Sequence, residues 1–137
     1  MTQFPFPKFR HLRKAGEFQH VYGLRQRAGD NLLLIFAAAN GHPYTRIGLS
    51  VSKKHGGSVR RQRIKRLLRE AFRLSQHEIP GGLDLILIPR QDSGAGLDEY
   101  RTSLLKLSRK LARRLLPDVR IENGRPTVQP GNSGNHG

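Results

Sequence analysis

Apolar positions along this chain recur with two different periods, and the alternation between them lays out the elements. Lys14 to Gly23 places Phe18 and Tyr22 at i, i+4 and ends on a glycine, which predicts a short helix. Asn31 to Ala39 is a continuous apolar run, read as a buried strand, and Asn40-Gly-His-Pro43 is turn chemistry. Arg46 to Ser52 has period two: Ile47, Leu49 and Val51 point one way, and Arg46, Gly48, Ser50 and Ser52 the other. Lys53-Lys-His-Gly-Gly57 follows as a basic, glycine-rich loop, with His55 read as a solvated loop histidine. Ser58 is the expected N-cap of a helix to about Ser75, in which Ile64, Leu67, Leu68, Ala71 and Phe72 form one buried stripe. Pro80-Gly-Gly82 breaks the chain, Leu83 to Ile88 reads as a strand ending at Pro89-Arg90, and Gln91 to Gly96 as a loop. Leu97 to Leu116 repeats Leu97, Tyr100, Leu104, Leu107, Leu111 and Leu115 at helical spacing.

The order is α-β-β-α-β-α, with room for a further strand in Gln26–Leu34. It predicts an α+β fold, a two-layer α/β sandwich with helices packed on one sheet. Phe4-Pro-Phe-Pro-Lys-Phe9 is expected to be extended, because each residue before a proline is pushed out of the helical region. We expect a single domain over residues 1–116 with an extended segment at 1–13. Residues 117–137, rich in Pro, Gly and Asn, are expected to be a disordered tail.

Charge changes the picture next. The 137 residues carry 25 Lys+Arg against 10 Asp+Glu, a formal net charge of +15. It is a focus and not a coat: residues 46–77 hold ten basic residues and one acid, whereas 78–99 hold one basic residue and five acids. Such a focus attracts polyanions, nucleic acid first and an anionic membrane surface second. The longest apolar run falls well short of the ~18 residues of a membrane span, and no signal peptide is read at the N-terminus. With no cysteine there is no disulfide frame, thiolate zinc site or thiol nucleophile. A cytoplasmic, nucleic-acid-facing protein is the expectation.

Binding is better marked than catalysis. Carboxylates are scattered, Asp98-Glu99 suiting the positive end of a helix, and the histidines have no zinc spacing. No catalytic or metal residue is expected on the protein. In the helix after residue 58, Arg60, Arg61, Arg63, Lys65, Arg66 and Arg69 stand with Gln62 and the single acid Glu70, an arrangement suited to phosphates. The small, polar face of residues 46–52 leaves room for a backbone to approach. If it lies open beside the first helix, Phe18 and Tyr22 become either stacking platforms for a single strand or ordinary core aromatics.

These residues resemble a family. Arg46-Ile-Gly-Leu-Ser-Val-Ser-Lys-Lys54, followed by Val59-Arg-Arg-Gln-Arg-Ile-Lys-Arg-Leu-Leu-Arg-Glu-Ala-Phe72, is similar to the signature of the protein subunit of bacterial ribonuclease P. Leu12-Arg-Lys14, Glu17-Phe-Gln19 and Tyr22 match its N-terminal pattern, and Arg90 stands where that family often has a cation. The likeness runs over roughly residues 8–115. The family's Arg-Asn-Arg motif is Arg61-Gln62-Arg63 here, a departure that leaves the role of Gln62 open.

The resemblance implies a ribosomal protein S5 domain 2-like fold with a left-handed strand-helix-strand crossover, against the general right-handed rule. It implies a subunit of the endonuclease that removes the 5′ leader of precursor tRNA, with the catalytic centre on the RNA subunit. Arg60, Arg61, Gln62, Arg63, Lys65, Arg66 and Arg69 would face that RNA. Phe18, Tyr22, Arg46, Ser50, Ser52, Lys53, Lys54 and Arg90 would line or flank the leader's path. No cofactor is expected on the protein alone, and Mg2+ is expected in the RNA-containing holoenzyme. The partners implied are the catalytic RNA and precursor tRNA, with no membrane and no obligate protein partner. A ribosomal or nucleoid protein without enzymatic association is the alternative, and an autonomous protein nuclease a more distant one.

Overall fold

The computed structural model describes residues 10–91 and 94–116, together with the backbone of two strands, Val119–Glu122 and Arg125–Val128. The expected extended run at 4–9 lies outside the described residues. The elements are α1 (Ala15–Gly23), β1 (Arg27–Gly29), β2 (Leu33–Ala39), β3 (Arg46–Leu49), α2 (Ser58–Ser75), β4 (Leu83–Pro89) and α3 (Leu97–Leu115), followed by β5 (Val119–Glu122) and β6 (Arg125–Val128). The additional strand expected within 26–34 is β1. It turns into β2 at Asp30, whose carboxylate accepts from the backbone N–H groups of Leu32 and Leu33 at 2.8 and 2.9 Å.

The main sheet has the order β1-β2-β4-β3, with β2 antiparallel and β3 parallel to the central β4. The β3-α2-β4 segment is thus a crossover unit. Strand β4 is buried along nearly its whole length, which is why it is apolar on both faces and not alternating, with Asp84 as its one charged residue. Helices α2 and α3 pack together on one face, where Leu68, Ala71, Phe72, Tyr100, Leu104, Leu107 and Leu111 meet Leu33, Ile35, Ile47, Leu85 and Leu87. Each such large side chain contributes roughly 1.5–3 kcal/mol on burial.

The other face is not bare. Phe36 and Ala38 on β2 and Ile86 and Ile88 on β4 are apolar as well, so that face needs its own cover, and α1 provides it with Val21, Phe18 and Tyr22, beside Leu12. The two-layer description therefore fits α2, α3 and the sheet, and α1 is an addition on the opposite side. Ahead of α1, the Leu12 N–H donates to Ile47 O at 2.8 Å and His11 bridges to Ile47, so this segment lies along the edge of β3.

Within the expected tail, β5 and β6 pair antiparallel, Val119 opposite Val128 and Glu122 opposite Arg125. The residues between them in sequence are Asn123-Gly124, a strong hairpin signal that the surrounding composition masks. The remainder of the tail lies outside the described residues.

Candidate nucleic-acid interface

Two surfaces carry the residues singled out from the sequence. The first is the cleft beside α1. Phe18 is half-buried, and its ring fills the space above Gly48: a Cβ built there would stand 2.5 Å from Phe18 Cζ. The room that Gly48 leaves is taken by this ring and not left to a ligand backbone. Tyr22 meets Phe36 edge-on, with centroids 5.0 Å apart and an interplanar angle of 72°. The Arg27 guanidinium lies 5.9 Å from the Phe36 centroid. Arg27 was not singled out beforehand, although period two from Ala28 would have put it on this face. Farther along, Ser50, Ser52, Lys54 and Arg90 line a cavity of about 550 Å3 with Ile88 and Pro89. Lys53 is exposed next to it.

His55 sets the position of this loop. It is buried, 8% exposed, and not a solvated loop residue. The Ser52 N–H donates to its Nδ1 at 3.0 Å, so the proton belongs on Nε2, which donates to Pro89 O at 2.7 Å. Lys53 and Lys54 are thereby fastened to the end of β4, where Arg90 follows. The Arg90 Nε donates to Asp30 O at 3.0 Å, and the guanidinium lies over Gly29, where a Cβ would stand 2.8 Å from it.

Arg46 is placed differently from expectation. Its Nε and Nη2 donate to the two carboxylate oxygens of Asp84 at 2.7 and 2.6 Å, and its Nη1 to Glu17 at 3.0 Å. The hydrogen bonds and charge of Asp84 raise the Arg46 pKa. Glu17 also accepts from the N–H groups of Lys14 and Arg13, which, with Arg46, lower its pKa. Arg46 therefore fastens α1 to the sheet and is not an open cation in the cleft.

The second surface is α2. Its N-cap is Gly57 and not Ser58, which is the first helical residue. Arg60, Gln62, Arg63, Arg66 and Arg69 are exposed, and Arg61 and Lys65 half-buried. Glu70 is committed to Arg73 at 2.6 Å. The two surfaces meet twice. Lys65 and Arg69 share a cavity of about 490 Å3 with Phe18, Gly48 and Arg13. Arg60 and Arg63 share one of about 690 Å3 with Arg90 and His55.

Asp30, on the far side of the sheet from α1, is occupied as well. Asp30 accepts from Ser103 Oγ at 2.6 Å and pairs with Lys106 at 3.2 Å. Burial alone would raise its pKa, but these bonds and the two backbone N–H groups hold it at about 2. Among the described residues no three His, Asp or Glu side chains are grouped to hold a metal ion.

A family model described as Ribonuclease P matches residues 6–112. The chain is 39% identical over 101 residues to the ribonuclease P protein component of Alkaliphilus oremlandii, covering 73% of this chain and 89% of the relative. Over 90 residues it is 38% identical to that of Fusobacterium nucleatum, covering 66% and 81%. Among solved structures, the fold is similar to the RNase P protein of Staphylococcus aureus, with a TM-score of 0.65, 29% identity and coverage of 76% and 95%. It is also similar to that of Thermotoga maritima, with a TM-score of 0.67, 28% identity and coverage of 73% and 96%.

Proposed function

Because the chain belongs to the ribonuclease P protein family, the RNA-binding components of a tRNA-processing ribonucleoprotein, we propose that it grips two RNA strands at once. In this reading α2 lies against the catalytic RNA subunit, and the cleft beside α1 takes the single-stranded 5′ leader of precursor tRNA. Family membership speaks against the ribosomal or nucleoid alternative.

One observation carries the proposal. The half-buried aromatics Phe18, Tyr22 and Phe36 lie on the same sheet face as a cavity edged by Ser50, Ser52, Lys54 and Arg90, and Arg90 also lines a second cavity with Arg60 and Arg63 of α2. Aromatic rings beside a cationic groove suit a single strand, each stacked base contributing ~1–3 kcal/mol. The guanidinium groups of α2 suit the phosphates of a folded RNA, where they release counterions on binding. Arg46 serves the cleft by holding α1 in place.

The holoenzyme hydrolyses a phosphodiester bond, and we assign its catalytic centre to the RNA. Four carboxylates support this assignment, since Glu17, Asp30, Glu70 and Asp84 are each held in ion pairs. Magnesium is assigned to the RNA-containing holoenzyme, and no step is routed through a protein-bound ion. The protein then acts by neutralising charge and holding the leader. We place it in the cytoplasm; among the described residues no helix is long and apolar enough to cross a membrane. Reconstitution tests the reading: the purified protein, added to a bacterial ribonuclease P RNA, should improve precursor cleavage at low magnesium. No improvement at any salt concentration would overturn it.

A further inference from the structure

Strand β1 is one edge of the main sheet, at the opposite end of the strand order from β3. The Ala37 N–H donates to Gln26 O at 2.8 Å, so Gln26 and Ala28 are the positions bonded to β2. The backbone of Arg27 and Gly29 therefore points outward along the edge.

Cations of α3 that belong to neither surface above wall this edge. Arg114 Nη1 donates to Arg27 O at 3.0 Å, and Lys106 pairs with Asp30 at 3.2 Å. Lys110 stands four residues from each, so Lys106, Lys110 and Arg114 share one face of α3, with about 6 Å of rise per step. All three are exposed. On the strand itself Arg27 is exposed and lies over the Phe36 ring, which Tyr22 meets edge-on. The row of cations thus begins at the aromatic wall of the cleft and turns around the edge of the sheet onto α3.

Guarding an edge strand against pairing accounts for one such contact, the guanidinium on Arg27 O. It does not account for like charges at successive i, i+4 positions, which repel one another until an anion is brought to them. The charge also has a direction. At the start of α3, Asp98 and Glu99 line a cavity with Asp30 and Lys106, so a polyanion is repelled there and drawn toward Arg114.

We propose that this row holds the part of the 5′ leader that lies beyond the cleft, its phosphates following Arg27, Lys110 and Arg114 along the β1 edge. The proposal rests on the leader reading above and extends the path of the strand. The leader fits better than the RNA subunit, because the row is continuous with the cleft through Arg27 and Phe36. It also lies across the sheet from β3, where Lys65 and Arg69 of α2 open beside Gly48. A single strand is flexible enough to turn around a sheet edge from one face to the other, which a duplex is not.

The first test measures binding by the reconstituted holoenzyme of precursor tRNAs with leaders of about 5 and about 15 nucleotides, the span of ordinary single-strand sites. The longer leader should bind about ten-fold tighter, with a slope of log K against log salt steeper by about two. Lys110→Glu, at an exposed position, should remove most of that gain and leave the short-leader affinity near wild type, and Arg114→Ala should do the same. A gain that survives Lys110→Glu unchanged overturns the proposal. So does an equal loss for long, short and leaderless substrates, which would assign the row to the RNA subunit. No gain from the longer leader overturns it as well, and in that case a preference for the short leader over leaderless tRNA keeps the cleft reading intact.

The second test places a photoreactive side chain at residue 110 of the same holoenzyme. Crosslinks to the 5′-terminal nucleotides of the long leader support the proposal. Crosslinks to the RNA subunit alone, or to no RNA, overturn it.

Discussion

The ring of Phe18 occupies the space that a side chain at Gly48 would need, with Phe18 Cζ 2.5 Å and Leu12 Cβ 3.1 Å from the position of a Cβ there. Glycine at this point of β3 is what lets α1 seat its aromatic against the sheet. Gly48→Ala should displace the ring and α1 with it, at a cost of about 1–3 kcal/mol. Denaturant unfolding measures this, and leader-dependent substrate affinity should fall in the same variant. Unchanged stability would show that the ring yields without cost.

Arg46 is the second lever on α1. Arg46→Ala leaves Asp84, 4% exposed, with Asn40 Nδ2 at 2.9 Å as its remaining side-chain donor. Leaving a buried carboxylate short of its cation costs about 3 kcal/mol. The double variant with Asp84→Asn should recover part of that loss in a double-mutant cycle. A variant of unchanged stability that loses only leader affinity would instead return Arg46 to the list of direct RNA contacts.

Asp30 gives a pH dependence of defined sign. Its folded pKa is about 2 against an ordinary 3.8, so its contribution is fully present above about pH 4 and is lost as the pH falls toward 2. The difference corresponds to about 2 kcal/mol. Asp30→Asn should be destabilised by about that much at pH 6, and the gap to wild type should close near pH 2. The same gap at both pH values would contradict the assignment.

Arg66 is exposed on α2, away from the buried Leu68 and Phe72. Arg66→Ala should lower affinity for the RNA subunit and reduce the salt slope by about one counterion. Binding measured across a salt series checks this, and an unchanged slope would place Arg66 off the RNA.

The helices and strands were legible because α2 and α3 bury single apolar stripes and β4 is apolar on both faces apart from Asp84. The basic helix and the loop with Lys53 and Lys54 were legible as charge. What sequence could not give is which sheet face α1 would cover, since Phe18 and Tyr22 define a helix face without naming its partner. Arg46 read as a ligand-facing cation because its partners Glu17 and Asp84 lie 29 and 38 residues away. His55 read as solvated because Pro89, 34 residues on, is brought to it only by the crossover. Tyr100 fitted the core stripe of α3, and it is buried there. The β5–β6 pair is a different case: in the sequence, Asn123-Gly124 between short β-prone runs was a readable signal, outweighed by the composition around it.

The central claim is that this protein holds the single-stranded leader while the RNA holds the rest of the substrate. Its most direct test compares affinities of the RNA subunit, with and without the protein, for precursor tRNA and for the same tRNA lacking its leader. The account predicts that the protein tightens binding of the leader-bearing substrate by about ten-fold or more, as one or two stacked bases would, and leaves the leaderless one nearly unchanged. An equal gain for both substrates would contradict it.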